Sequence, residues 1–368
     1  MYKLEIIENI SKEEWNQNLI KSNYSTYYQT SEYIEGNNTT EYFPIFIQII
    51  NDKDQVVGQL GIQIIKTSVR YSSSLFNKIL KIISSITKRG IWLYGPIIHS
   101  ENEKERLEIL QIILDANNQI MKKYDLVFLE GYSPPLDIQI DEKYLKIFEK
   151  NQYQIGKYIT YITDLRKSID EIWLKIQKYT KVNVKRAMKR GIIIKKLETI
   201  SEAKENMLLF KKWSETKGLT ISDTKKELDK FWKGNNSGYE KTFLAYKNEQ
   251  LVASITISCF NKIIIPLQVI NSYSQEAKNL AGPSLTWQAI KDSKETNFEI
   301  YDITGGPMLS ENESDIDNTY SLTHYKRKWG GEEHIHYNFL KINKKISYMI
   351  YLKLFKLIKW YHQRSNNY

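Results

Sequence analysis

The sequence predicts an α/β protein made of two copies of one unit joined in tandem. Three observations lead there. The order hairpin, strand, Gly-Pro, helix, strand occurs twice along the 368 residues. The runs QVVGQLGIQII (55–65) and QLVASITISCF (250–260) fill matching slots after the two turns. The composition, 41% hydrophobic and 26% charged with 16 Gly and 7 Pro, is that of a packed globular chain. A chain of this length buries roughly 75% of its unfolded surface and needs no disulfide or metal to fold. Internal duplication is the reading taken, although alternating α/β grammar also recurs by chance.

In the first half, Ser11-Lys12-Glu13-Glu14 has the spacing of a capping box and predicts a helix start. Segments 42–50 and 55–65 read as strands, joined by the turn residues Asn51-Asp52-Lys53-Asp54. A basic segment covers 75–88. Residues 91–94 (IWLY) then read as a buried strand stopped by Gly95-Pro96. Over 103–123 the pattern is an amphipathic helix, with Leu107, Leu110, Ile113, Leu114, Asn117 and Met121 recurring near helical spacing. Strands are expected at 125–129 and 153–165.

The second half opens on Ser168-Ile169-Asp170-Glu171, a second capping box. It predicts a helix running to about Arg190 and stopped by Gly191. Strands follow at 242–246 and 251–260 around a Lys247-to-Gln250 turn, and another at 263–269. Gly282-Pro283 opens a helix to about 296, and a strand over 298–303 ends near Gly305-Gly306. The expected domains are 1–165, 166–335 and a C-terminal strand and helix over 336–368.

Charge and cysteine content exclude several functions. A single cysteine, Cys259, excludes a disulfide framework and any multi-cysteine metal site, and five His make a histidine metal site a poor bet. The N-terminus has no signal-peptide pattern and no stretch is apolar enough to cross a bilayer. This predicts an intracellular, cytoplasmic protein. The net charge of +10 invites a polyanionic partner. With 45 Lys against 8 Arg, sequence-specific DNA binding is not expected. The nucleophile elbow, Walker loop, dinucleotide fingerprint and zinc-protease motif are all missing.

Five segments can carry chemistry. From Ile172 to Leu197 there are nine basic residues and no acid, and Lys178, Lys181, Lys185 and Lys189 share a helix face with Arg186 alongside. That face suits a phosphate backbone, or is a solvated surface of a Lys-rich chain. The helix start at Gly282 suits a phosphate, or is ordinary capping. Asp302 stands at the C-terminal edge of a strand, where open α/β sheets build their sites. In HYKRKWGG (324–331) three cations sit between aromatics. Read as a strand, it aims Lys326 and Lys328 one way, into a cleft or simply outward. The last segment, Lys344 onward, carries six cations and no acid, with Ile346, Ile350, Leu354, Leu357, Ile358 and Tyr361 as an apolar stripe. Such a helix lies on an anionic bilayer or docks on the core.

In this order the fragments YITDLRKSIDEIWLKIQKYTKVNVKRAMKRGIII, WSETKGL, GPSLTWQAIKDSKETNFEIYDITGG and HYKRKWGGE resemble one family. It is the FemAB-type peptidyl and aminoacyl transferases, with the related acetyltransferase-like proteins of envelope and polysaccharide gene clusters. The resemblance spans most of the chain and is strongest over 155–335. It implies two tandem acetyltransferase-like (GNAT-fold) domains, the C-terminal segment packing back on the first. The family's basic helix matches Lys185, Arg186, Lys189 and Arg190. Its aromatic-Lys-x-x-aromatic-Gly motif matches Tyr325, Lys326, Trp329 and Gly330, and its strand ending in Asp and glycines matches Asp302, Gly305 and Gly306. Lys217 stands where Arg is more usual. The segment 199–241 is too short for the long helical arm of tRNA-using members. Glu35-Gly36 stand where a lysine is often found.

The resemblance implies transfer of an aminoacyl or acyl group from an activated carrier, aminoacyl-tRNA or acyl-CoA, to an amine. The amine would belong to a cell-envelope precursor, amino sugar or peptide. No tightly bound cofactor is expected. Lys326 and Asp302 are the expected catalytic residues. Lys185, Arg186, Lys189, Lys217, Gly282, Tyr325 and Trp329 are expected to hold substrate or carrier. Residues 344–364 are a candidate membrane contact at the inner face. The alternative is a non-catalytic acetyltransferase pair that binds RNA or an anionic membrane.

Overall fold

The computed structural model describes residues 2–36, 42–65, 78, 87–216, 224–272, 274, 277–308 and 318–365. The chain forms two compact units. One is Met1–Tyr158 with Ile335–Tyr368, the other Ile159–His334. It passes from one to the other within the strands Gln154–Asp164 and Glu332–Ile342.

The first unit contains β1 (Lys3–Ile7), α1 (Lys12–Leu19), α2 (Ser31–Glu35), β2 (Tyr42–Ile50), β3 (Val56–Ile65), β4 (Arg89–Trp92), β5 (Ile97–Ile98), α3 (Glu103–Lys123), β6 (Phe128–Tyr132), α4 (Glu142–Lys150) and the start of β7 (Gln154–Asp164). The second contains the rest of β7, α5 (Ile169–Lys175), α6 (Lys178–Lys189), β8 (Ile193–Lys196), α7 (Ile200–Thr216), α8 (Thr224–Asn236), β9 (Glu240–Lys247), β10 (Gln250–Phe260), β11 (Ile263–Asn271), α9 (Gly282–Glu295), β12 (Ile300–Pro307) and α10 (Asn318–Arg327). Then β13 (Glu332–Ile342) and α11 (Lys345–Ser365) return the chain to the first unit.

The two units share one strand plan. In the first, β1, β2, β3 and β4 pair antiparallel in that order, β4 runs parallel to β6, and β6 pairs antiparallel with β13 over Asn338 to Ile342. In the second, β8, β9, β10 and β11 pair antiparallel, β11 runs parallel to β12, and β12 lies beside β7. Each parallel pair is spanned by one amphipathic helix, α3 or α9, as a parallel connection requires. The apolar face read from the sequence is the buried face of α3. Ile109, Leu110, Ile113, Leu114 and Ile120 pack on Ile45, Ile47, Leu60 and Ile62 of the sheet.

Four readings need correction. The helix expected over 168–190 is two helices. The capping box at Ser168 and Glu171 forms with both hydrogen bonds, but Ile176 is extended (φ −66°, ψ 138°) and ends the first helix. Gln177 then donates its N–H to the Lys328 carbonyl at 3.0 Å, so the partner that breaks the helix lies 151 residues away. At the other box, α1 does start after Ser11, but the Ser11 side chain makes no capping bond. The strand expected at 125–129 lies at Phe128–Tyr132, because Asp125 takes a turn conformation at φ 56°. The segment 324–331 is not a strand. It is the last turn of α10 and the turn after it, with Tyr325 and Trp329 one helical turn apart and both packed on the core. The basic segment 75–88 lies almost wholly outside the described residues.

Candidate active site

The parallel strands β11 and β12 are laddered only at their starts, Ile263 with Ile300 and Ile264 with Tyr301. Among the described residues the ladder does not continue, so the C-terminal stretches of the two strands part. In the first unit β4 and β6 stay paired over four positions, from Arg89 with Phe128 to Trp92 with Gly131.

Asp302, Thr304 and Gly305 stand on the parted stretch of β12. Asp302 is 1% exposed. Its Oδ1 accepts hydrogen bonds from the Thr160 hydroxyl and from the Thr304 N–H, the latter at 2.7 Å. The second bond holds Thr304 at φ 64°, a left-handed conformation that is strained for a β-branched residue. The next residue has to be glycine. A Cβ on Gly305 would lie 1.5 Å from the Ile159 carbonyl oxygen, so only a bare Cα lets β12 pass this close to β7.

Lys326 arrives from the last turn of α10. Its Nζ donates to the Thr304 hydroxyl and, at 3.3 Å, to the Gly305 carbonyl. Burial lowers its pKa from 10.5 to about 8, opposed by the nearby Asp302 carboxylate. The ammonium is thus half-buried, held by two neutral oxygens with the Asp302 carboxylate near it. At pH 7 about nine in ten copies are charged.

Tyr325 and Trp329 build the wall behind it. Trp329 is 1% exposed in the core, with the Tyr325 ring 6.4 Å away. Tyr325 packs on the same core cluster as Leu285 and Ala289 of α9. These two aromatics fix the direction of α10, and Trp329 presents no surface to a ligand. The glycines after Trp329 lock the turn. Gly330 has φ 72°, and a Cβ there would lie 2.3 Å from the Lys175 carbonyl oxygen, so the turn seats against the end of α5.

Lys185, Arg186 and Lys189 stand on the exposed side of α6, whose other side buries Thr180, Asn183, Val184 and Ala187. The Lys185 ammonium lies 5.9 Å from the centre of the Trp173 ring, which packs on Trp287 of α9 at 4.6 Å. Gly282 is buried beside Asn271 at the end of β11. The chain already winds as a π-helical turn through Ala277–Ala281, so Gly282 continues a helix rather than opening a bare terminus. Lys217 lies outside the described residues. The structure thus brings together Lys326, Asp302, Gly305, Tyr325 and Trp329, with the basic side of α6 presented separately. Sequence reasoning missed Thr160 and Thr304. The Asp-x-Thr-Gly order signalled the turn at Thr304, whereas nothing local marks Thr160, 142 residues from its partner.

No family model and no curated protein matches the sequence. Solved structures do match. FemX aligns over 94% of this chain and 99% of its own, with a TM-score of 0.68 at 12% identity. The fold is the tandem acetyltransferase-like fold of the FemAB type. Two further structures share it. A tandem GNAT protein of the clavulanic acid biosynthesis pathway aligns over 92% of this chain and 98% of its own, with a TM-score of 0.55 at 9% identity. The L-PGS of Bacillus licheniformis aligns over 94% and 97%, with a TM-score of 0.54 at 12% identity. In this FemAB-type fold the Lys326 site falls in the second acetyltransferase-like unit. Among the described residues no helix is long and apolar enough to cross a membrane.

Proposed function

We propose that this chain is an acyltransferase that moves an aminoacyl or acyl group from a polyanionic carrier to an amine. The carrier is aminoacyl-tRNA or acyl-CoA, and the amine belongs to a cell-envelope precursor, amino sugar or peptide. The observation that carries the reading is the half-buried Lys326 ammonium, held by Thr304 and Gly305 where β11 and β12 part. Attack of an amine on an activated carbonyl passes through a tetrahedral oxyanion. Such a reaction needs orientation and a fixed positive charge more than a covalent nucleophile. Lys326 supplies the charge, to the oxyanion or to a carrier phosphate. Asp302, buried and fully engaged, acts as a positioning residue that sets Thr304 and keeps Lys326 charged. Lys185, Arg186 and Lys189 are suited to the carrier's phosphates, because they are exposed, alike in charge and on one short helix. The fold supports the same class, since FemX and a tandem GNAT protein share it.

The test is transfer of a labelled group from aminoacyl-tRNA or acyl-CoA to a panel of amines, with wild type and Lys326→Met compared. Transfer by the wild type, reduced about 10²–10³-fold in the variant, is expected for loss of a charge that acts in the transition state. Salt-sensitive RNA binding with no transfer from either donor would replace this reading with the non-catalytic one.

A further inference from the structure

One face of α11 is committed to the first unit. The Tyr348 and Tyr351 rings pack on Phe128 at 5.1 and 5.2 Å, and the Arg89 guanidinium hydrogen-bonds the Tyr351 hydroxyl. Lys344 pairs with Asp125 at 2.6 Å just before the helix. This inward face is not the stripe read from the sequence. Ile346 is 73% exposed and Ile350 39%, and Met349 and Leu352 are exposed with them at 56% and 39%.

At 100° per residue, Leu352, Lys345, Lys356, Met349, Lys353, Ile346 and Ile350 follow one another around about 160° of the helix, an arc centred opposite Tyr351. Apolar ends and ammonium groups therefore share one surface. The three lysines are exposed, and from Lys344 to Tyr368 the sequence has no acid. A second copy of the chain does not suit this face, because a two-fold pairing would set its lysines against themselves with no carboxylate between them. An interface of phosphates above acyl chains suits it. Lysine stems lie along apolar matter while their heads reach the phosphates, and a flat face needs no groove.

We propose that the outward face of α11 seats the protein on an anionic lipid bilayer. Ile346, Met349, Ile350 and Leu352 enter the headgroup boundary, and Lys345, Lys353 and Lys356 lie among the phosphates. This proposal is independent of the transfer chemistry at Lys326.

The test uses the full chain in co-sedimentation with vesicles of phosphatidylcholine alone and of phosphatidylcholine mixed with phosphatidylglycerol. Binding is expected to the anionic vesicles only, weakening as salt rises. The variant Lys345→Gln/Lys353→Gln/Lys356→Gln is expected to bind about a hundredfold more weakly. Ile346→Ser/Met349→Ser/Ile350→Ser is expected to lose at least about tenfold. A single Met349→Cys variant labelled with a polarity-sensitive dye gives a second readout, Cys259 being buried. Its emission is expected to shift to the blue on anionic vesicles. No binding to anionic vesicles, or full binding by both triple variants, overturns the proposal. So does a dye that reports water throughout. A wild-type dimer in solution that the serine variant dissociates, with no vesicle binding, assigns the face to a second copy instead.

Discussion

Replacing Lys326 by Met is expected to stabilise the protein while removing the transfer activity proposed for it. The drop of the Lys326 pKa from 10.5 to about 8 has burial as its cause. It corresponds to about 3 kcal/mol of disfavoured charge in the folded state. Methionine fills a similar volume without the charge but leaves the Gly305 carbonyl without its donor. The net gain at pH 7 is therefore about 2 kcal/mol, or about 4–8 °C in the melting of a unit of this size. The sign of the pH dependence follows from the same pKa. Between pH 8 and 10.5 the unfolded chain holds a proton that the folded chain has released. Wild-type stability therefore gains about 1.4 kcal/mol per pH unit from this group across that window. The variant lacks this gain, so its advantage is full below pH 8 and closes as pH approaches 10. Urea unfolding of both proteins from pH 7 to 10, followed by tryptophan fluorescence, measures the difference, and the other lysines cancel in it. A variant no more stable at pH 7, with a difference that stays flat to pH 10, would refute the buried charged lysine.

Three other outcomes are expected. His336 is 4% exposed among the rings of Tyr94, Tyr132 and Tyr158, and burial lowers its pKa to about 4. Its contribution is present above pH 6.5 and lost as pH falls toward 4. His336→Phe should therefore lose about 3 kcal/mol less than wild type over that range in acid unfolding curves. Gly305→Ala sets a Cβ 1.5 Å from the Ile159 carbonyl oxygen, and should cost about 3 kcal/mol or more by urea unfolding while abolishing transfer. Arg106→Met strands the Asp137 carboxylate, whose side chain is 2% exposed, and should cost about 3–5 kcal/mol at neutral pH with a smaller loss where Asp137 is protonated.

What the sequence made legible was set by local periodicity. Both hairpins and α3 stand within a residue or two of where alternation and helical spacing put them, because one apolar face decides each. The break between α5 and α6 was not legible. It depends on the Lys328 carbonyl and on Gly330 pressing against Lys175, both far along the chain. The misreading of 324–331 has a physical origin too. Read with a period of two, Lys326 and Lys328 fall on one face and Tyr325, Arg327 and Trp329 on the other, but Tyr325 and Trp329 also satisfy the helix rule, and the core that decides between them is distant. Lys326 stands out through its motif and the turn at Thr304 through the Asp-x-Thr-Gly order, whereas Thr160, the partner of Asp302, required the fold.

The shared strand plan shows how the two halves differ around one position. Both units place a carboxylate on the strand that follows the spanning helix, Glu130 on β6 and Asp302 on β12. In the first unit β4 and β6 stay laddered, and the Trp92 ring fills the space that a Cβ on Gly131 would need, 1.7 Å away. Glu130 is met there by the Tyr132 hydroxyl and the Asn338 amide. In the second unit the ladder stops after two pairs, Thr304 is forced left-handed, and a lysine from α10 enters. One frame is closed by an aromatic ring, and the other stays parted with a charge at its edge.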